Sequence, residues 1–456
     1  MKRIAAFLTI MVLLAASLFG GYAPSAYSAT KPPAINGVTG CLIDAKTGVV
    51  IYDNGMNEPM APASTTKMIT ALLVLENLPL DKQLVIDSQV EGTSGNSLGL
   101  VDGEIITVKD LLYGMMLYSA NDAAVALAKA VSGSVSKFAD LMNERAMELG
   151  AKNTNFVNPN GLTASGHITT AYDLAMIAKG CMENQTFREI CKTVSYRIPP
   201  NIKSAERVVE NTNLMIVGDE TMVTVGGVSV PAKYEYCIGI KTGSTTEAGN
   251  CLVAAAEKEG TMLISVIMKS GELERYSDSI SLFEWGFENY RSHRAIEKGK
   301  EVDRIRVREG ASRKVGVAAV DDCYITMPND AGDSVISTKT VLEDFIMAPV
   351  KAGTAVGKIE VYEGDRLVQS VDAVVMEDVA VGTVLSKIGI SDTIAKPLIT
   401  IVVILAALVA ALTLMVIILR IIIGKKKKKL RRERALELAA KRLAAERDKE
   451  NRNWPY

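Results

Sequence analysis

The feature that most constrains this chain lies near its C-terminus. Leu398 to Leu419 is 22 residues without a charge, and Ile421-Ile422-Ile423 continues the run past Arg420. At about 1.5 Å per residue the 22 residues span roughly 33 Å, enough to cross a bilayer core. Lys425 to Lys429 follow at once, then Arg431, Arg432 and Arg434. A soluble core helix needs neither this length nor such a stop. Basic residues flanking a span stay in the cytoplasm, which puts everything before residue 398 outside. The N-terminus agrees. Met1-Lys2-Arg3 precedes an apolar run, Ile4 to Phe19, and Ala26-Tyr27-Ser28 has the small-residue pattern of a cleavage site. This predicts a secretory signal over residues 1–28.

The formal net charge of −1 hides an asymmetry. From Gly424 onward 13 Lys and Arg oppose 5 Asp and Glu, a local balance of +8, so the remainder sums to −9. The basic tract therefore reads as an orientation signal beside a membrane surface rather than a nucleic-acid site. Residues 430 to 450 look like a solvated, charged helix, and residues 424–456 are expected to form a basic cytoplasmic tail.

Roughly 365 residues remain outside, enough for two domains. From 35 to about 292, strand-like and helix-like segments alternate. Gly40 to Asp44 and Val49 to Tyr52 flank Lys46-Thr47-Gly48 as a hairpin. Helical periodicity follows over 66–76, 108–117, 123–131, 135–149 and 171–182. Strand-like runs at 236–240, 250–256 and 263–268 precede a last helix over 275–290. Strands at both ends with helices between predict an α/β (α+β) domain, one antiparallel sheet with an α-rich lobe. From 299 to 380 the helical period vanishes and short β-branched runs alternate with Gly and Asp turns, predicting a small all-β domain without catalytic groups.

The six cysteines (41, 181, 191, 237, 251, 323) form no CxxC pair and no zinc-like spacing, so no metal and no cofactor are expected. The one pairing suggested by position is Cys237 with Cys251, flanking the Lys241 turn on neighbouring strands.

Only two histidines occur, His167 and His293, and no G-x-S-x-G accompanies either. Nucleophilic chemistry without histidine uses a serine with a lysine one helical turn away. Ser64-Thr65-Thr66-Lys67 opens a strong helix, with both side chains on one face. The helix N-terminus offers N–H groups to a developing oxyanion. S-x-x-K is common by chance, and Ser134-Val135-Ser136-Lys137 is a second copy. S-x-N occurs at Ser119-Ala120-Asn121 and Ser94-Gly95-Asn96; K-[ST]-G occurs at Lys46, Lys241 and Lys269. Context decides among them. Lys46 sits in a hairpin turn ahead of any serine candidate, and Lys269 ends a strand with no second edge beside it. Ser94 has only a loop around it. Ser119 breaks two helical patterns. Lys241-Thr242-Gly243-Ser244 lies between two strand-like segments, where Gly243 lets substrate approach an edge backbone. The surviving order is Ser64, Ser119, Lys241.

In that order the chain resembles the penicillin-binding D-alanyl-D-alanine carboxypeptidases, serine peptidases of low molecular mass. Ser97-Leu98-Gly99-Leu100 with Gly103-Glu104, Ser119-Ala120-Asn121-Asp122-Ala123, Asn158-Pro159-Asn160-Gly161-Leu162 with His167, and Trp285-Gly286-Phe287 resemble that family's segments too. The likeness runs from about 35 to 380. It implies that Ser64 attacks the carbonyl between two D-alanines of a peptidoglycan stem peptide while Lys67 takes its proton. It implies that Ser119 bridges Lys67 and the departing amine, and that Asn121 orients Lys67 and the substrate amide. Lys241, Thr242 and Gly243 would form the substrate-binding edge, with Lys241 and Thr242 on the terminal carboxylate. Ser64 and Ser244 would supply the oxyanion hole, and Arg275 would link to the carboxylate. β-Lactam antibiotics would acylate Ser64. His167 is expected to be structural. The family's better-known members are held by an amphipathic C-terminal helix on the membrane surface, whereas this chain carries a full span. A class A β-lactamase would need an acid within Asn153 to Leu162, which has none. A transpeptidase or endopeptidase shares the motifs. A non-catalytic β-lactam sensor signalling through the span is left little room by so short a tail.

Overall fold

The computed structural model describes residues 30–332, 335–382 and 392–450. The signal sequence expected over residues 1–28 lies outside them. By contacts the described residues divide into two units: those up to 297 with those in 322–338 and 361–370, and those in 298–321 and 339–360 with those from 371 onward.

Five strands build the sheet of the first unit: β1 (Thr39–Asp44), β2 (Val50–Asn54), β3 (Cys237–Thr245), β4 (Gly249–Lys258) and β5 (Thr261–Ser270). Their order is β2-β1-β5-β4-β3, antiparallel throughout. Distant pieces thus meet, with Leu42 opposite Ser265. Cys251 to Ala256 and Thr261 to Met268 are buried without a break, because both faces of the sheet are covered. Successive side chains alternate faces. Cys251, Val253 and Ala255 pack into the helical lobe, while Leu252, Ala254 and Ala256 pack with Tyr276, Phe283 and Trp285. That alternation overturns the expected Cys237–Cys251 bridge. Cys237 pairs with Ala256 and Cys251 with Gly243, and the two thiols belong to cores on opposite faces. All six cysteines are free and buried.

The lobe comprises α1 (Lys67–Asn77), α2 (Val108–Leu117), α3 (Asn121–Ser132), α4 (Val135–Glu148), α5 (Ala171–Glu183) and α6 (Gln185–Lys192). Every residue of α1 from Lys67 to Val74 is buried, as expected of a helix apolar on all sides. Local chemistry sets the ends. Thr107, Ser134, Thr170 and Asn184 each accept a backbone N–H of the first turn, which fits their preference for the N-cap. The second S-x-x-K is such a cap: Ser134 Oγ accepts from Lys137 N at 3.2 Å. A last helix, α7 (Glu274–Asn289), lies on the other face of the sheet.

The strand Cys323–Pro328, grouped by composition with the all-β region, pairs with Tyr290–Ile296 inside the first unit. The six-stranded all-β sheet runs in the order Ile336–Leu342, Ala355–Glu363, Arg366–Val375, Lys314–Ala319, Glu301–Arg308, Ile346–Met347. Ile336–Leu342 was not legible in the sequence because only its residue pattern of partial and full exposure marks it, with no buried apolar alternation. The C-terminal helix α8 (Asp392–Glu450) is continuous through the apolar run and the basic residues after it. Its apolar window has a mean hydropathy of 3.2, and none of it is buried against the protein. A helix this long and apolar suits membrane anchoring.

Candidate active site

The site begins at a tight turn. A 3-10 segment, Ala63–Thr66, leads directly into α1 at Lys67. Ala63 holds φ +48°, a left-handed conformation that costs a non-glycine residue about 1–2 kcal/mol. Neighbouring groups hold it. Val157 N donates to His167 Nδ1 at 2.9 Å, which leaves the ring proton on Nε2 facing Thr66 Oγ1, 2.9 Å away. Thr66 Oγ1 in turn donates to the Ala63 carbonyl at 2.9 Å. Burial pushes the His167 pKa down to about 4, so the imidazole is neutral and serves the turn, as expected of a structural histidine.

Lys67 is fully buried. Its Nζ lies 2.9 Å from Ser64 Oγ, 2.7 Å from Asn121 Oδ1 and 2.5 Å from the Asn160 carbonyl. Burial, and after it the Lys241 cation, hold the Lys67 ammonium well below the ordinary lysine range. The carbonyl of Asn160 is a contact that motif reading missed. The Asn158-Pro159-Asn160-Gly161-Leu162 segment was visible, but nothing in it marks a backbone oxygen as a ligand. Thr70 Oγ1 ties the same loop to α1 through the Pro159 carbonyl. Gly161, at φ +84°, crosses so closely that an added Cβ would stand 1.9 Å from Ala63 O.

Asn121 opens α3, and its Nδ2 donates to Ser94 O at 2.7 Å while its backbone N–H donates to Asn96 O at 2.7 Å. The Ser94-Gly95-Asn96 copy, set aside as mere loop, is therefore the wall that orients Asn121. Asp122, one residue on, accepts from Ser97 Oγ and from the N–H groups of Leu98 and Leu100. Glu104, fully buried, pairs with Arg207 at 2.8 Å. These contacts account for the Ser97-Leu98-Gly99-Leu100 and Gly103-Glu104 segments. Ser119 is buried at φ +65° and lines the cavity; no hydrogen bond joins it to Lys67 among the described residues.

Lys241-Thr242-Gly243-Ser244 lies inside β3 rather than in a turn, and the connection falls after Thr245. The strand continues because β4 pairs with it residue by residue from Gly239 to Thr245. At Gly243 a Cβ would meet Ser64 N and Ala63 Cβ at 3.0 Å, so a side chain there would push this edge strand and the nucleophile turn apart by a few tenths of an ångström. Lys241 is 1% exposed. Burial first, with the Arg275 cation adding and the Cys191 thiol opposing, pushes its pKa down to about 7. Arg275 lines the cavity, yet its Nη1 donates to the carbonyls of Gly243 and Cys251. Those two bonds tie it to β3 and β4 at the cavity edge. Thr212, absent from the sequence reading, faces Thr242 with hydroxyls 3.3 Å apart. Ser64, Ser119, Asn121, Thr242, Gly243 and Ser244 all line one cavity of about 280 Å³.

Residues 26–271 match the family described as D-alanyl-D-alanine carboxypeptidase, and residues 290–381 match the C-terminal domain of penicillin-binding protein 5. The chain belongs to the D-alanyl-D-alanine carboxypeptidase family. It is 31% identical over 382 residues to D-alanyl-D-alanine carboxypeptidase DacF of Bacillus subtilis, covering 81% of this chain and 93% of that one. The D-alanyl-D-alanine carboxypeptidase of Streptomyces sp. strain K15 is 35% identical, over 63% of this chain and 98% of its own. The solved structure of penicillin binding protein 5 from Haemophilus influenzae superposes with a TM-score of 0.62 at 28% identity, covering 77% of this chain and 99% of that one. Membership in this carboxypeptidase family makes the chain a serine hydrolase with a penicillin-binding fold. Among the described residues no cluster of three or more His, Cys, Asp or Glu is placed to hold a metal.

Proposed function

We propose that this carboxypeptidase removes the terminal D-alanine of peptidoglycan stem peptides through a Ser64 acyl-enzyme, and that β-lactams acylate the same hydroxyl. One observation carries the reading. The partners of Lys67 Nζ at 2.7 and 2.5 Å are carbonyl oxygens, which only accept. A neutral amine has two N–H groups, and both are used on Asn121 and Asn160. Its lone pair is left for the Ser64 hydroxyl hydrogen at an Oγ to Nζ separation of 2.9 Å. That is the geometry of a general base, and burial beside Lys241 supplies the neutral state it needs.

Ser64 Oγ bonds to the penultimate D-alanine carbonyl as its proton passes to Lys67. The C–N bond then breaks, and the leaving amine takes a proton relayed by Lys67 and Ser119. Water cleaves the resulting ester and restores the serine. Backbone N–H groups of Ser64 and Ser244 stabilise the oxyanion, Asn121 holds the substrate amide, and Lys241 with Thr242 receives the terminal carboxylate. Arg275 supports the strand that carries them. Residues 299–380 serve as a spacer or docking module, and α8 anchors the protein with its basic end in the cytoplasm. The deciding assay is D-alanine release from diacetyl-Lys-D-Ala-D-Ala by the detergent-solubilised full chain. Release that depends on Ser64 supports the reading; stoichiometric penicillin labelling without release identifies a sensor instead.

A further inference from the structure

The rim of the cavity carries one carboxylate that the chemistry above does not use. Glu247 lies in the short connection between β3 and β4, two residues beyond Thr245, which lines the cavity. Thr163 Oγ1, one residue past the cavity-lining Leu162, donates to Glu247 Oε2 at 2.8 Å. The bond joins the two walls of the mouth and fixes the carboxylate. Among the described residues Oε1 has no protein hydrogen-bond partner and Glu247 forms no ion pair. An exposed carboxylate held in place and uncompensated is suited to receive a cation from outside.

We propose that Glu247 reads the side-chain ammonium of a diamino acid immediately preceding the two D-alanines, making it a specificity-determining residue. The inference rests on the functional reading above. β3 is the edge strand of its sheet, and an extended peptide docks on such an edge as an added strand. Its terminal carboxylate belongs at the cationic end, where Lys241 and Arg275 sit beside Thr242 and Gly243. The acyl portion then runs toward Ser244 and Thr245. At roughly 3.3 Å per strand residue, Thr245 lies about 7 Å beyond Gly243, which brings the residue before the penultimate D-alanine level with the rim. The edge therefore presents positive charge to the peptide's end and negative charge two residues upstream. A peptide ending in a carboxylate and carrying a side-chain amine at that residue has the complementary pattern. A neutral or acidic residue there lacks it.

The test compares kcat/KM of the detergent-solubilised full chain on Nα-acetyl-Lys-D-Ala-D-Ala, whose ε-amine is free, and on diacetyl-Lys-D-Ala-D-Ala, whose ε-amine is blocked. We expect the wild type to favour the free amine by about two- to five-fold, the size of an exposed ion pair, and the preference to shrink as salt is added. Glu247→Gln should bring the ratio to about one, Glu247→Lys should invert it, and Glu247→Asp should retain it. Because the readout is a ratio, it does not depend on the fraction of folded enzyme. A wild-type ratio of one, or a Glu247→Gln ratio equal to that of the wild type, overturns the proposal. Failure of the underlying reading looks different: neither peptide would be cleaved and Ser64 would not take up labelled penicillin.

Discussion

Replacing Gly161 with alanine probes the claim that a backbone carbonyl helps to set the base. Gly161 sits at φ +84°, and a Cβ there would lie 1.9 Å from Ala63 O and 2.4 Å from Ala63 C. Neither atom is the end of a flexible side chain; both belong to the strained turn that presents Ser64. Reaching an ordinary contact of 3.4 Å requires the loop to retreat by about 1.5 Å. The Asn160 carbonyl, one residue back, starts 2.5 Å from Lys67 Nζ, and a displacement of that size takes it out of hydrogen-bonding range. Lys67 then loses one of the two acceptors that aim its lone pair at Ser64. A misplacement on the order of 1 Å costs roughly 10²-fold in rate. Left-handed strain of about 1–2 kcal/mol and overpacking of about 1–3 kcal/mol add a loss of stability. Gly227 separates these effects, because it has the same φ of +84° with nothing within 4 Å. Gly227→Ala should lower the melting temperature through backbone strain alone and leave acylation untouched. The assay is the second-order rate of labelling by a fluorescent penicillin, measured alongside thermal unfolding of both variants. If Gly161→Ala labels at the wild-type rate, the Asn160 carbonyl is not positioning Lys67 and the argument fails.

Ser64→Ala should abolish penicillin labelling and D-alanine release, while Ser134→Ala should lose only the helix cap, about 1 kcal/mol, and a tryptic peptide containing Ser134 that carried the drug would contradict this. Lys67→Ala should slow acylation by roughly 10²–10⁴-fold, the range for a lost general base, and stopped-flow labelling measures it. The pH profile of kcat/KM on a carboxylate-ended peptide should fall as pH rises through about 7, because burial first, then Arg275, depresses the pKa of Lys241 and the free enzyme then loses the cation that meets the carboxylate. The same depression means that from about 7 up to 10.5 the unfolded chain holds a proton that the folded chain lacks, so the contribution of Lys241 to stability rises with pH over that window; an activity profile flat across it would refute the assignment. In intact cells the tail after residue 424 should resist external protease while the preceding region is digested, and cleavage of the tail from outside would reverse the assigned orientation.

What the sequence determined about this protein is what depends on spacing along the chain. The 22 uncharged residues before a run of lysines announce an apolar helix long enough to cross a membrane because length and hydropathy are local quantities. Ser64 and Lys67 share a face because three residues make nearly one helical turn, and α2 falls on Val108–Leu117 because its apolar period and the Thr107 cap agree. The order Ser64, Ser119, Lys241 was chosen on the same kind of local context, and it is the structure that shows the Ser134 copy to be a helix cap. Tertiary structure alone decided which loops close on that core. The third partner of Lys67 is a backbone oxygen 93 residues away, and carbonyls look alike in every sequence. Ser94-Gly95-Asn96 matches S-x-N in the sequence, but its part in the site, accepting from Asn121, is visible only in the fold. Cys237 and Cys251 flank the Lys241 segment in sequence, yet the register of β3 on β4 sends them to opposite faces. Arg275 turned inward to two carbonyls because the strand it braces was assembled from residues it does not neighbour in sequence. Periodicity fixes which side of an element is apolar; only the packed chain fixes what that side meets.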